Sequence, residues 1–360
     1  MKQATLEELR SLIRQIDEKL VGLLNERARL SQDIGMIKAG EGRQAYDPAQ
    51  EIRVFDHLTG INGGPLAKRS LHAIFREIIS ASRLLQEPLL VACLGPEASF
   101  THLAAERHFG STTNFSCQGA ISGVFHEVQK GNARIGVVPV ENSLEGSVNL
   151  TLDCLIDTPL YIQSEILMRI NHCLLSSAEG LTELEQVYSH PQALAQCQGW
   201  LRDHLPRCRL IDMESTAAAA RLVAGDPKSA AIGSRLAGSR YGLNILRESI
   251  EDNETNITRF LVIGQEPCAP TNQDKTSVIF STIHRPGSLH LALEPFARRQ
   301  VNLLKIESYP MKGRLWEYLF FVDFTGHKDQ GETGQCLAEL ANHTSFLKVL
   351  GSYPIGEVLL

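Results

Sequence analysis

From Leu6 to Ile37 the chain carries neither a proline nor a glycine-rich break, and apolar residues recur at Leu6, Leu9, Ile13, Ile16, Leu20, Leu23, Leu30 and Ile34. Most steps are of three or four residues, the period of one face of an α-helix. At about 1.5 Å per residue such a helix spans roughly 50 Å, whereas a lone domain of about 90 residues is only about 30 Å across. The pattern therefore predicts that a second chain covers the excess. A second helix opens at Asp47-Pro48-Ala49-Gln50, where Asp47 suits the N-cap, Pro48 the first helical position, and Gln50 can close a capping box. A third runs from about Leu66 to Gln86, with Pro88 following it. Residues 1–87 are expected to be all-helical.

After Pro88 short β-rich runs alternate with helical ones, the strands being Leu89–Leu94, Arg134–Val140, Tyr161–Leu167, Gln186–Ser189, Ala230–Gly233 and Ile257–Gly264. This alternation argues for an α/β domain over residues 89–265. A proline-bearing break, Glu266-Pro267-Cys268-Ala269-Pro270, precedes a third region, residues 274–356. Its pattern is strand (Thr276–Ile283), helix (Ser288–Arg299), strand (Leu303–Ser308), strand (Trp316–Phe324), helix (Thr333–His343) and strand (Leu347–Leu350), the βαββαβ order of an α+β ferredoxin-like fold.

Composition narrows the partners. A chain of 360 residues is too long for one ordinary core, and a net charge of -6 argues against nucleic acid. No apolar run is long enough for a membrane span, and a cytoplasmic protein is expected. The eight cysteines form no C-x-x-C pair, so neither a metal nor a cofactor is implied.

In the first helix, Arg27 stands on the apolar seam where another leucine would be expected, and Lys38 falls on the same face. In the third, Ser82 and Gln86 lie one turn apart on the face marked by Leu71, Phe75, Ile78 and Leu85. Buried cations are costly without anions, so the set suggests a pocket for a small multivalent anion. Ile16-Asp17-Glu18-Lys19-Leu20, Glu26-Arg27, Gly35-Met36-Ile37-Lys38, Tyr46-Asp47-Pro48 and Phe75-Arg76-Glu77-Ile78-Ile79-Ser80-Ala81-Ser82 resemble the all-helical chorismate mutase family. The resemblance implies an intertwined homodimer in which Arg10 reaches the partner's site, while Arg27, Lys38, Asp47, Glu51, Ser82 and Gln86 line their own. Lys38 and Gln86 would stabilise charge on the breaking ether oxygen. Gln86 stands where relatives often carry Glu, and Gln50 where they usually have Arg.

In the α/β region, polar groups gather at expected strand ends: Gly95-Pro96-Glu97-Ala98-Ser99, Pro139-Val140-Glu141-Asn142-Ser143, Ser189-His190-Pro191-Gln192 and Glu214-Ser215-Thr216. Most such junctions serve only as turns or caps. Asn256-Ile257-Thr258-Arg259-Phe260 is less ordinary, because polar residues enter a strand whose alternation sets Thr258 and Phe260 on one face and Arg259 on the other. Together these segments resemble prephenate dehydratase, with Ala98 replacing a common Gly. The resemblance makes Thr258 the catalytic residue. It puts Ser99, Glu141, Asn142, Ser143, His190, Gln192, Ser215, Thr216, Arg259 and Phe260 around the substrate, with Glu141 or His190 resupplying a proton.

Residues 276–353 resemble the ACT family of regulatory domains through Gly287-Ser288-Leu289 and Glu307-Ser308-Tyr309-Pro310. This resemblance implies that Gly287, Ser288, Leu289, Glu307 and Ser308 bind phenylalanine at a dimer interface, with Tyr309 where relatives usually have Arg. The whole would convert chorismate to prephenate and prephenate to phenylpyruvate under feedback inhibition. The competing reading is a non-catalytic two-lobed receptor for a small acid with an amino-acid sensor.

Overall fold

The structure, a computed structural model, describes residues 5–271, 273–310 and 318–359. The expected strand residues Trp316 and Glu317 lie outside them. The chain packs as two compact units, one made of residues up to Asp47 with Val54–Leu89 and Phe109–Asn114, the other of Pro48–Arg53, Leu90–His108 and the remainder from Phe115.

The first unit is built on α1 (Leu6–Gly40) and α3 (Lys68–Gln86), with α2 (Pro48–Ile61) divided between the units. Thr5 caps α1: its side chain accepts from the Glu8 N–H, and Glu8 accepts from the Thr5 N–H. Ser31 is the only buried residue of α1. Its seam residues Leu9, Ile13, Ile16, Leu20, Leu23, Leu30 and Ile34 are between 48% and 61% exposed. The periodicity thus encodes a face that one chain does not cover.

The second unit begins with β1 (Leu90–Leu94), α4 (Phe100–Phe109, whose last residue packs with the first unit), β2 (Asn114–Gln118), α5 (Ile121–Gln129), β3 (Ile135–Asn142), β4 (Gly146–Ser147), α6 (Asn149–Asp157) and β5 (Tyr161–Arg169). The next segments are β6 (Cys173–Ser176), β7 (Gln186–Ser189), α7 (Pro191–Gln196), α8 (Gln198–His204), β8 (Arg209–Asp212), α9 (Thr216–Leu222), β9 (Ser229–Gly233), α10 (Arg235–Tyr241), β10 (Asn244–Arg247) and β11 (Ile257–Gly264). The last part holds β12 (Asp274–Ser281), α11 (Ser288–Arg298), β13 (Leu303–Pro310), β14 (Tyr318–Thr325), α12 (Gly331–Asn342), β15 (Phe346–Pro354) and β16 (Val358–Leu359).

Three sheets form. The first has the order β16-β5-β11-β3-β1-β2, with β4 on β3, so that β11 returns to lie between two earlier strands. The second, β10-β6-β9-β7-β8, makes the other lobe, and the third, β13-β14-β12-β15, realises the βαββαβ pattern. The sequence pattern did not reveal β2, β4, β6, β8, β10 and β16. These strands have between two and five residues, and β8 is half polar and largely exposed. One apolar core joins the α/β sheet to the third sheet, bringing Leu261 and Ile263 of β11 together with Ile279, Phe321, Leu350 and Tyr353.

The register of β11 decides which residues face the cleft. Thr258 pairs with Asn142 and Arg259 with Glu141, but Phe260 pairs with Pro139, so Val140 is an extra residue on β3. The bulge keeps Pro139 and Asn142 on one face and turns Glu141 to the other.

Candidate active sites and a sensor pocket

Between the two lobes lies a cleft of about 360 Å³. The strand–turn–helix junctions bring Ser99, His190, Gln192, Ser215 and Thr216 to it, and β3 and β11 contribute Asn142, Thr258 and Phe260. Several of these also have the ordinary capping duties: Ser215 Oγ accepts from the Ala218 N–H, and His190 Nδ1 from the Gln192 N–H. Ala98 takes a left-handed φ of 63°, a conformation glycine adopts without strain, which gives a physical reason for the Gly common at this turn.

The hydrogen bonds around Thr258 have a fixed direction. The Leu144 N–H donates to Asn142 Oδ1 at 2.9 Å, which identifies the other terminus of that amide as Nδ2. Asn142 Nδ2 donates to Asn256 Oδ1 at 2.8 Å and to Thr258 Oγ1 at 2.9 Å. Asn256 Nδ2 in turn donates to Gln196 Oε1 at 2.9 Å, and the His172 Nε2–H donates to that same oxygen, also at 2.9 Å. Burial holds the His172 pKa below its usual value, which favours the neutral imidazole, and this pattern places its proton on Nε2. Thr258 Oγ1 therefore accepts from Asn142, leaving its own proton free to donate into the cleft.

Sequence reasoning missed His172 and Gln196, and placed Asn256 in a motif without giving it a role. Gln196 follows Gln192 by one helical turn on α7, a spacing that could have found it. His172 carried no signal, since its place follows from the approach of a loop to α7.

Three expected cleft residues are corrected. Arg259 points to the back of the sheet, where Nε donates to Glu165 at 2.8 Å, Nη1 to Asp323 at 2.6 Å and Nη2 to the Tyr353 hydroxyl at 2.9 Å. Glu141 is turned there by the bulge and pairs with Lys305 at 3.0 Å. Ser143 Oγ donates to the Thr255 carbonyl and accepts from the Ile257 N–H, which makes it a loop clasp.

In the first unit, Arg27 Nη1 donates to Ser82 Oγ at 2.5 Å, and burial lowers the Arg27 pKa. Lys38 Nζ donates to the Ala45 carbonyl at 3.1 Å. Gln86 packs so closely on Gly35 that an added Cβ would lie 2.9 Å from it. Among the described residues nothing donates to the buried Gln86 Oε1. Asp47 lies 3.9 Å from Arg43, while Glu51 belongs to the second unit. Arg10 is exposed on α1, about 25 Å along the helix axis from Arg27, too far to share a site with it in one chain.

The third sheet carries a separate cavity of about 500 Å³ at the start of α11, lined by Gly287, Ser288, Leu289, Arg285, Tyr318 and Phe320 among others. Gly287 holds the turn with φ 82°. Glu307 and Ser308 do not reach this cavity within one chain: Glu307 accepts from Ser147 and pairs with Lys305 at 3.1 Å. Tyr309 donates to Asp153 at 2.6 Å, and burial pushes its phenol up to about 12.

A two-lobed α/β cleft lined by a threonine and side-chain amides, in a chain that also carries a helical unit and a βαββαβ sheet, defines a multidomain enzyme. Family models agree segment by segment: chorismate mutase type II over residues 9–87, prephenate dehydratase over 91–268 and ACT domain over 276–342. A bifunctional chorismate mutase/prephenate dehydratase of Aquifex aeolicus is 44% identical over 97% of this chain and 98% of its own. The solved prephenate dehydratase of Arthrobacter aurescens, in complex with L-Phe, is 33% identical, with a TM-score of 0.69 over 74% of this chain and 90% of its own. A solved chain described as GqqA, a novel type of quorum quenching acylase, is 28% identical, with a TM-score of 0.68 over 74% of this chain and 98% of its own. The protein belongs to the bifunctional chorismate mutase/prephenate dehydratase family. Among the described residues no helix is long and apolar enough to cross a membrane.

Proposed function

We propose that the chain rearranges chorismate to prephenate in its helical unit and converts prephenate to phenylpyruvate in the α/β cleft, with phenylalanine as inhibitor. The observation that carries the second activity is the bond from Asn142 Nδ2 to Thr258 Oγ1, in which the threonine accepts and so keeps its hydroxyl hydrogen for a substrate. Prephenate must lose its ring hydroxyl and a carboxylate together. As the C–C bond to the carboxylate breaks, its electron pair enters the ring, carbon dioxide leaves, and the departing hydroxide takes a proton to become water. A hydrogen bond from Thr258 would stabilise the negative charge growing on that oxygen. His190 stays a candidate for supplying the proton, and the ion-paired Glu141 is withdrawn.

The rearrangement needs posture and charge, and no nucleophile. Arg27, with Arg10 from a partner, would hold the two carboxylates, Lys38 and Gln86 the ether oxygen, and Asp47 the ring hydroxyl, with Ser82 setting Arg27; Glu51, in the second unit, is left out of this set. The open seam of α1 supports a homodimer, in which each partner's helix covers the other's. Phenylalanine would sit at the start of α11 against Gly287, Ser288 and Leu289, with Glu307 and Ser308 supplied by another chain. We place the enzyme in the cytoplasm.

The test is to give the purified chain chorismate at neutral pH and follow prephenate and phenylpyruvate by chromatography, with and without phenylalanine. Phenylpyruvate that falls on adding phenylalanine is the expected result. Prephenate as the final product would remove the role of Thr258, and unchanged chorismate would remove the enzymatic reading.

A further inference from the structure

The arginine next to the catalytic threonine is the least expected feature of the second unit. Its side chain is only 8% exposed, and it sits between two carboxylates that are themselves buried, Glu165 at 0% and Asp323 at 2%. Lys275 adds the second cation, 2.6 Å from Glu165, so two positive and two negative charges balance. A buried charge set is tolerated only when every member is paired, and removing one partner is costly.

These partners lie on different strands. Glu165 belongs to β5, the neighbour of β11, whereas Lys275, Asp323 and Tyr353 belong to β12, β14 and β15 of the sensor sheet. Glu165 Oε1 also accepts from the Gly356 N–H in the segment leading to β16. Glu141 lies 3.7 Å from Arg259 and binds Lys305. The Lys305 Nζ donates in turn to Ser147 at 3.0 Å, a residue of the cleft wall.

We propose that Arg259 is a positioning residue: it fastens the catalytic strand to the sensor sheet from behind and sets where Thr258 stands, without touching substrate. Thr258 and Arg259 share one peptide unit and point to opposite faces, so a shift of the sensor sheet that drags Arg259 also moves the Thr258 hydroxyl. Misplacing a reacting group by about 1 Å costs on the order of a hundredfold in rate. The Arg259 clamp thus gives a sensor that contributes no residue to the cleft lining a direct hold on the reaction.

The inference rests on the dehydratase reading, which wild-type turnover of prephenate tests by itself. The experiment uses the full chain with Arg259→Lys and with Tyr353→Phe, the latter removing one hydroxyl and little volume. Steady-state kinetics with prephenate are measured beside circular dichroism, which checks folding. Expected are a kcat about tenfold lower for Arg259→Lys and about threefold lower for Tyr353→Phe, with KM within about twofold in both. The phenylalanine concentration for half-inhibition should shift in the same two variants. An Arg259→Lys variant that instead raises KM about tenfold at unchanged kcat, with Tyr353→Phe silent, would mean that Arg259 holds substrate and would overturn the proposal. If Arg259→Lys fails to fold, Tyr353→Phe decides alone, and unchanged kcat and inhibition there count against the clamp.

Discussion

In the helical unit, most of the polar residues that would hold a substrate hang on two helices, one of which keeps its apolar seam open to solvent. In the α/β cleft, Thr258 is held by a chain of side-chain amides ending on a buried histidine, all within one polypeptide. In the proposed homodimer the first site depends on what a second chain brings. The second depends on how its own strands register. A clamp for carboxylates can be shared across an interface because charge acts over several ångströms, whereas a single donated hydrogen bond needs its neighbours fixed to tenths of an ångström.

The sharpest break between the two sites should come from Thr258→Ala. Dehydratase kcat should fall on the order of a hundredfold or more, with mutase turnover unchanged. Full dehydratase activity in a folded variant would remove Thr258 from the chemistry. The reverse cut is Leu20→Glu on the open seam. If a second chain covers that face, the added charge should lower mutase turnover roughly a hundredfold and reduce the sedimenting mass. Prephenate supplied directly should still be consumed within about twofold of the wild-type rate. Mutase activity that survives in a lighter species would show its site to be complete in one chain.

Gln86→Glu sharpens the comparison through pH. An amide donates at any pH, so the natural chain should rearrange chorismate at a flat rate from about pH 6 to pH 8. The carboxyl donates only when protonated, so the variant should lose about tenfold across that range. A flat variant profile would mean that Gln86 does not donate to the ether oxygen. The smallest effect concerns stability. Burial depresses the folded-state pKa of His172, so below the unfolded-state value of about 6.5 the unfolded chain binds a proton that the folded chain does not. Stability should fall as the pH drops from about 6.5 toward the depressed folded pKa, by up to about 1 kcal/mol over the first unit. Urea denaturation at pH 7.0 and 5.5 should show that part of the slope missing in His172→Asn. An identical slope would assign the acid sensitivity to other groups.

Much of this was already legible in the chain itself. Helical periodicity with alternating steps gave α1, α3 and the uncovered seam, because a one-dimensional repeat on a helix maps directly onto one face. The alternation of β11 separated Thr258 from Arg259, and the order of elements gave the βαββαβ domain. Several short strands and the strand order were not legible, since pairing partners are distant in sequence. Nor was the role of Glu141: a single extra residue, Val140, turns it away from the cleft, and a bulge is a property of two strands together. His172 and Gln196 belong to the same class, joined to Thr258 only through contacts across the cleft. The amino-acid sequence determined which residues could do chemistry and which faces must be covered, because both follow from side-chain type and local period. The tertiary structure alone decided which groups hold the arginine beside Thr258, because the carboxylates that claim it come from positions 165 and 323, brought together only by the packing of two sheets.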